Sequence, residues 1–178
     1  FYVSCHRNNM ELTEKLLAGA YPGVQVKEVE EYNIFTDTGK VAFSEMVLRS
    51  ESYKPIKVYK ELTTDPLASI TASLAKLGAD EAAAIQIIVV PAESEWQKAG
   101  ESYISKTKRA ESDPEKAKFK MSPADFEAID NKVGKPGFLT AVRIVTVAPT
   151  EGVAKQNLSN LKGAFSQLNG SMNGFKGK

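Results

Sequence analysis

The stretch that decides the fold is AVRIVTVAPTEGVAKQNLSNLKGAFSQLN, residues 141–169. Residues 138–147 carry apolar side chains on both faces and predict an inner strand. Five apolar side chains then recur at intervals of four, three, four and three residues: Ala154, Leu158, Leu161, Phe165 and Leu168. Thr150 stands before this series as a suitable N-cap. The stretch therefore predicts an inner strand and a one-sided helix that covers it.

The turn between this strand and helix raises the question of a nucleotide, because many nucleotide sites are built at such a turn. A Rossmann turn needs several glycines before the helix, but the one glycine here, Gly152, already falls inside the helix. A phosphate-binding loop also fails at Gly39–Lys40, which has no glycine five positions earlier and no Ser or Thr afterwards. In GKPG, residues 134–137, a proline follows the lysine. We therefore expect ordinary turns and no bound cofactor.

Residues 1–30 are predicted to form a strand–helix–strand unit. The β-rich segment FYVSC (residues 1–5) and the alternating segment VQVKEVE (residues 24–30) are predicted as its strands. The helix between them has one apolar face and ends at YPG, where Pro22 cannot continue it. That face consists of Leu12, Leu16, Leu17 and Ala20.

A second unit is predicted over residues 41–92. Extended segments are expected around residues 41–48 and 56–59. A helix begins with Asp65 as N-cap and Pro66 in the first helical position. The nearly continuous apolar run AAIQIIVVPA, residues 83–92, predicts a central strand that is covered on at least one face.

Residues 92–136 are polar and charged and predict a helical insert. Ser94 with Gln97 resembles a capping box, and Ser122 starts a second helix that Phe126 and Ile129 could anchor. The predicted fold class is α+β: a two-layer sandwich with a mostly antiparallel sheet, helices on one face, and a ferredoxin-like βαββαβ core. A doubly wound parallel sheet is the alternative. We expect one domain over residues 1–169 and a flexible, Gly- and Asn-rich linker over residues 170–178.

The composition is that of an ordinary globular protein. Of the 178 residues, 42% are hydrophobic and 25% charged, and the net charge of +1 singles out neither nucleic acid nor an anionic membrane. The lone cysteine cannot form an internal disulfide, which fits a reducing compartment. No apolar run is long enough to span a bilayer. Because the chain starts with a strand-like pattern and without Met, we expect it to be a piece of a longer protein.

Two clusters contain side chains of the types that can carry chemistry. Cys5 and His6 are neighbours, which point to opposite faces on a strand, so a catalytic dyad is not expected. With one Cys and one His, no zinc site is predicted. Glu28, Glu30 and Glu31 cluster at a predicted strand end and are interpreted as a solubilising edge. We expect no catalytic residue, no metal and no small-molecule substrate.

The charged insert holds the most basic region, which could contact DNA or a protein partner: Lys106, Lys108, Arg109, Lys116, Lys118 and Lys120. Acidic residues interrupt these charges, so a solvated surface is the other interpretation. Trp96 and Tyr103 lie two helical turns apart, as either a partner-binding stripe or a packing face.

Three segments carry a resemblance to a known family: YPGVQVKEVEEY (residues 21–32), DPLASITASLAKLGADEAAAIQIIVVPAESEWQKAG (residues 65–100) and KVGKPGFLTAVRIVTVAPTEGVAKQNLSNLKGAFSQLN (residues 132–169). They resemble the N-terminal region of bacterial conjugation or type IV secretion ATPases, DNA-transfer proteins found especially in candidate-phyla bacteria. The resemblance covers most of the chain in order, but not residues 34–54 or the insert.

This resemblance implies a non-catalytic accessory domain that precedes a P-loop motor. Members of the family are membrane-associated, so the expected location is the cytoplasmic face of the bacterial inner membrane, reached through the parent protein. The implied partners are other secretion-machine subunits or neighbouring copies. Two alternatives stay open: a DNA-guiding module that uses the basic insert, and a small enzyme with an unrecognised site.

Overall fold

The computed structural model describes residues 1–30, 32–112 and 121–178. They form two compact units, Phe1–Asn33 and Ile34–Lys178. The helices are α1 Met10–Ala20, α2 Pro66–Leu74, α3 Glu95–Glu111, α4 Pro123–Val133 and α5 Glu151–Ala164. The strands are β1 Lys40–Leu48, β2 Ala82–Pro91, β3 Phe138–Ala148 and β4 Phe175–Gly177.

The four strands form one antiparallel sheet in the order β2-β3-β1-β4. This confirms the predicted α+β class with an antiparallel sheet and excludes the doubly wound parallel alternative. Helix α2 lies in the connection from β1 to β2, and α5 in the connection from β3 to β4. Helices α3 and α4 both fall between β2 and β3, where the helical insert was predicted.

The stretch at residues 141–169 forms the centre of the larger unit, as predicted. Strand β3 pairs with β1 on one side and β2 on the other. The Thr150 hydroxyl accepts a hydrogen bond from the Val153 N–H at 3.4 Å and caps α5. The buried face of α5 and its extension packs on one face of the sheet, against Met46 and Ile144 among others. Its buried members are Ala154, Leu158, Leu161 and Phe165.

Helix α2 completes this layer and begins where the sequence predicts. The Asp65 carboxylate accepts a hydrogen bond from the Leu67 N–H at 2.9 Å, and Pro66 occupies the first turn. Ile70 and Leu74 pack against the same core as α5. The Gln167 side-chain amide donates to the Pro66 carbonyl at 2.9 Å, which ties α2 to the end of α5.

The strands predicted at residues 1–5 and 24–30 are absent: these described residues pair with no strand. A β-rich sequence becomes a strand only where a neighbouring strand satisfies its backbone groups. Helix α1 forms as predicted, but its apolar face stays largely open, with Leu12 and Leu16 exposed. Residues 56–59, which were also expected to be extended, likewise remain outside the sheet, and Tyr59 begins a short 3-10 helix.

The apolar run at residues 83–92 is a strand, but it is not central. Among the described strands, β2 pairs with β3 alone and forms one edge of the sheet. Ala83 and Ile85 pack against the core, whereas the outer half of the strand, from Gln86 onwards, is exposed. The prediction was wrong because a nearly continuous apolar run indicates that a segment has low polarity. It does not indicate how many strands pair with that segment.

Helices α3 and α4 pack on each other around a second core cluster of Ile104, Ile129 and Val133. The Ser122 hydroxyl caps α4 as predicted by accepting from the Asp125 N–H at 3.1 Å. The capping box at Ser94 was wrong. The Gln97 amide instead donates to the carbonyls of Val133 and Lys135, at 2.7 and 3.0 Å, and so joins the two helices.

The C-terminal residues belong to the sheet, although their composition predicts a flexible linker. Strand β4 pairs with β1, and the Glu45 and Lys178 backbones exchange hydrogen bonds of 3.2 and 2.8 Å. Asn173 is only 2% exposed and is bonded to the turn at residues 50–54. Specific backbone bonds therefore hold this segment, which its Gly-rich sequence does not reveal.

Candidate protein-interaction surface

One face of the sheet carries α2 and α5, and the other face is open to solvent along much of its length. Side chains alternate between the faces of a strand, so the register assigns each residue to one of them. Exposed apolar side chains cluster on the uncovered side, hereafter the open face: Val41, Phe43, Ile88, Val90 and Leu139. Large exposed apolar patches on soluble proteins commonly mark contact surfaces.

The outer half of β2 extends this apolar surface to the rim of the sheet. We call residues Ile87, Ile88, Val89 and Val90 the β2 edge. Ile87 is 60% and Val89 58% exposed, and both point to the face opposite to that of Ile88 and Val90. The β2 edge is thus apolar on both faces, and it carries no charged side chain.

A charged row crosses the middle of the open face. Glu45 on β1 stands opposite Arg143 on β3, and Arg143 stands opposite Gln86 on β2. Apolar residues flank this row on both sides: Phe43 and Val145 lie before it, and the β2 edge lies beyond it. An apolar surface with an interior polar row can fix the orientation of a protein partner as well as bind it.

The structure brings only part of the predicted basic region together. Lys106, Lys108 and Arg109 are exposed near the end of α3, whereas Lys116, Lys118 and Lys120 lie outside the described residues. Lys106 and Arg109 are three residues apart and share one helical face. Lys108 is turned towards α4, with its ammonium 5.6 Å from the centre of the Phe126 ring. The described charges therefore form a pair and not a continuous stripe.

Trp96 and Tyr103, considered as a partner-binding stripe, are half-buried and pack into the α3–α4 cluster. The Tyr103 ring lies 5.1 Å from the Tyr53 ring, centre to centre. A Cβ atom on Gly137 would come within 2.5 Å of the Trp96 ring, so the chain passes directly over it. Both aromatic residues therefore support the fold.

Cys5 and His6 are exposed at the start of the smaller unit. The Thr13 hydroxyl donates to the Cys5 sulfur at 3.5 Å, and the His6 Nδ1 atom accepts from the Asn8 N–H at 3.3 Å. The imidazole thereby caps the short helical turn before α1. Glu28 and Glu30 are exposed, and Glu31 lies outside the described residues.

The described residues of the larger unit line open clefts, of which two are considered for a ligand. The first, of about 410 Å³, contains Asp80 and Glu81 beside the turn at Thr36–Gly39. The Glu81 carboxylate already accepts hydrogen bonds from the Gly78 N–H at 3.2 Å and the Asn157 amide at 2.8 Å. Glu81 therefore closes a loop, which is a structural role. The second cleft, of about 360 Å³, lies between α2 and α5 and is lined by polar side chains together with Leu77.

The strongest pKa shift lies at the turn before the α3–α4 cluster. Lys54, with help from Ser50, lowers the pKa of the Glu51 carboxyl to about 2. Burial lowers the pKa of Lys132, whose ammonium donates to the Lys54 carbonyl at 3.2 Å. These groups join the turn to α4, and each has a structural partner.

The described ranges contain neither a cluster of metal ligands nor a helix that could span a membrane. In residues 1–30, 32–112 and 121–178, no three His, Cys, Asp or Glu side chains cluster so as to hold a metal ion. Across the same part of the chain, no helix has both the length and the hydropathy that crossing a bilayer requires.

Sequence reasoning missed the open face and the β2 edge because it assigned residues 83–92 to the buried centre of the sheet. The available signal was the absence of charge from residues 82–91, but buried strands share that property.

No curated protein and no solved structure matches this chain. A family described as "Domain of unknown function (DUF8128)" matches residues 1–174. The match covers nearly the whole sequence, including both compact units. The chain therefore belongs to the DUF8128 family.

Proposed function

We propose that this chain is a non-catalytic accessory domain of a conjugation or type IV secretion ATPase, and that it acts by protein–protein contact. The observation that carries the proposal is the apolar open face, continuous with the β2 edge, on a domain whose core is already complete. The sequence resemblance supports a conjugation or type IV secretion ATPase as the parent protein. Its partners would be other subunits or neighbouring copies, at the cytoplasmic face of the bacterial inner membrane.

The proposal includes the finer fold assignment. The larger unit runs β1, α2, β2, α3, α4, β3, α5, β4, and its sheet order is β2-β3-β1-β4. With α3 and α4 treated as an insert, this is a βαββαβ order, which supports a ferredoxin-like core. Such a core would begin at β1, and not at residue 1 as the sequence predicted.

A genetic test uses Phe43 on the open face. In a host that carries the transfer system, Phe43→Asp is expected to lower transfer frequency at least tenfold at an unchanged protein level, because it places a charge in an apolar contact. Tyr59→Asp is the matched control, since Tyr59 is also an exposed aromatic residue but lies outside the sheet. Equal transfer by wild type and both variants would contradict the proposal.

A photo-crosslinking amino acid at position 43 identifies the contact directly. The expected product joins this domain to a subunit of the transfer machine or to a neighbouring copy, and the same probe at position 59 is expected to give none. The coding sequence that follows Lys178 is a further check: the proposal expects a P-loop motor there, and a different domain would contradict it.

A second candidate function is DNA guidance by the basic residues of the insert. Lys106 and Arg109 on one exposed face of α3 are the observation that favours it. Phosphate contacts make DNA affinity fall steeply with salt. If binding to a short duplex is undetectable even at low salt, the DNA function is lost. If binding occurs, Lys106→Gln with Arg109→Gln is expected to weaken it and to flatten its salt dependence.

A further inference from the structure

Among the described residues no strand pairs with one side of β2, hereafter the free side, and the backbone groups directed there occupy defined positions. Residues in an antiparallel pair alternate between those bonded to the partner strand and those directed away from it. The Ala92 N–H donates to the Gly137 carbonyl at 3.0 Å, so residue 92 is directed towards β3. The alternation then directs Ala83, Ile85, Ile87 and Val89 away from β3, towards the free side.

This edge lacks the features that normally block a further strand. Natural edge strands are protected by charges, prolines, bulges or short length. Strand β2 spans ten residues, pairs with β3 without a register break, and carries no charge, and its one proline stands at the last position. In contrast, the opposite edge, β4, spans three residues and contains Lys176. One edge of the sheet is therefore protected and the other is not.

A strand that fits beside β2 must be apolar on both faces, because Ile87 and Val89 line one face of the β2 edge and Ile88 and Val90 line the other. It must also lack charge, which would lie beside these side chains without a counter-ion. Strand β2 has both properties itself, since its ten residues contain no charge and only one polar side chain, Gln86.

We propose that β2 pairs with the β2 strand of a second copy, joining two four-stranded sheets into one eight-stranded antiparallel sheet. This inference rests on the proposed contact function and names its partner. The twofold axis passes beside Ile87, so that Ile87 faces Ile87 and Ile85 faces Val89. Centring on Ile87 places residues 83–91 opposite one another, with Pro91, which has no N–H to donate, at the end of the pairing. Centring on Val89 would bring Glu93 opposite Ile85.

The first experiment measures self-association of the purified chain by sedimentation equilibrium over a concentration series. A monomer–dimer equilibrium is expected. Ile87→Lys adds a charge to the edge, and Val89→Pro removes an N–H that is directed to the free side. Each is expected to weaken dimerisation at least tenfold. Circular dichroism establishes that each variant is folded. Because there are two independent variants, the test can still be made if one of them fails to fold.

The matched control is Val58→Lys. Val58 is 50% exposed and β-branched like Ile87, but it lies outside the sheet and outside the open face. Its dimerisation constant is expected to stay within about twofold of the wild type. A monomer at every concentration would overturn the proposal. So would a dimer that Ile87→Lys and Val89→Pro leave intact, since another surface would then be responsible.

Cross-linking tests the register. In a Cys5→Ser background, Ile87→Cys is expected to give covalent dimers with a short bismaleimide, because the two positions face each other across the axis. Lys176→Cys on β4 is expected to give none, since the two β4 strands would lie at opposite ends of the joined sheet. Equal cross-linking at both positions would overturn the register.

The outcomes separate this inference from the proposed function. Sedimentation uses the purified chain with no other machine component. A monomer whose position 43 still cross-links to a transfer subunit overturns the paired sheet and keeps the contact function. A β2-dependent dimer keeps the paired sheet. The contact function is overturned if, in addition, the Phe43→Asp variant transfers DNA normally and the probe at position 43 gives no cross-link to the machine.

Discussion

Asn173 shows how one polar side chain holds a Gly-rich segment in place. Its carbonyl oxygen accepts hydrogen bonds from the N–H groups of Ser50 and Gly174, at 3.0 and 2.9 Å. Its amide donates to the carbonyls of Glu51 and Lys54, both at 3.0 Å. With a longer bond from its amide to the Ser50 carbonyl, at 3.5 Å, this buried side chain pairs with five backbone groups from two distant parts of the chain.

We expect Asn173→Ala to lower the free energy of unfolding by about 2–3 kcal/mol, because it leaves buried backbone donors and acceptors without partners. Urea unfolding measures the difference. Asn160→Ala is the control, since Asn160 is exposed on α5, and its effect should stay within about 0.5 kcal/mol. Equal effects of the two substitutions would show that the Asn173 bonds contribute nothing.

Glu51 makes the free energy of unfolding depend on pH. Lys54 and Ser50 lower its pKa from 4.5 to about 2, so the folded state binds this proton less readily than the unfolded chain does. The resulting stabilisation is complete above pH 4.5 and is lost as the pH falls through about 2. The Glu51 side chain is 56% exposed, so solvent screening limits the effect to about 1 kcal/mol or less.

Glu51→Gln should therefore reduce the loss of stability between pH 4.5 and about 2, as measured by urea unfolding at a series of pH values. Lys54→Met, which removes the main cause of the shift, should reduce it in the same way. Wild-type slopes in both variants over this range would show that other carboxylates set the acid response.

At the scale of elements, close approach between helices is decided by a glycine. A Cβ atom on Gly100 of α3 would lie 2.5 Å from the Val133 Cγ1 atom and 2.8 Å from the Tyr53 Cβ atom. Helix α4 and the turn at residues 50–54 can pack against α3 only because Gly100 has no side chain. Gly163 of α5, by contrast, has no described atom within 4 Å of its Cβ position apart from its chain neighbours and the backbone of its own helix.

The two glycines predict opposite results for the same substitution. Gly100→Ala should lower the free energy of unfolding by about 1–3 kcal/mol, because the α3–α4 cluster must separate to accept the methyl group. Gly163→Ala should raise it by about 0.5–1 kcal/mol, because alanine favours the helix and meets no neighbour. Thermal unfolding of both variants provides the check. A stabilising Gly100→Ala would contradict the packing described for α3.

At the scale of the whole molecule, the sequence predicts elements better than their neighbours. The α5 helix was predictable because its apolar period, its Thr150 cap and its position after an inner strand all agree. The position of β2 was not, because the side chains of residues 82–91 are equally suited to the centre and to the edge. The strands expected in residues 1–30 failed for the same reason: propensity cannot supply the neighbouring strand that a strand requires.

The candidate surface shares this limit. Its residues were visible in the sequence as apolar side chains, but their exposure depends on where α2 and α5 lie and on which side of β2 has a neighbour. The basic residues could be counted from the sequence, whereas the orientation of the Lys108 side chain towards the Phe126 ring depends on how α3 packs against α4.

The pairing of β1 with β4 has a consequence for synthesis on the ribosome. Ser44 and Lys178, which are joined by a hydrogen bond, lie 134 residues apart, so at typical elongation rates about 7–27 s separates their synthesis. Strand β2 is made within that interval, before its partner β3. During translation the nascent chain therefore presents an uncharged ten-residue segment without a neighbour, and chaperone binding at this segment would protect the chain until β3 follows.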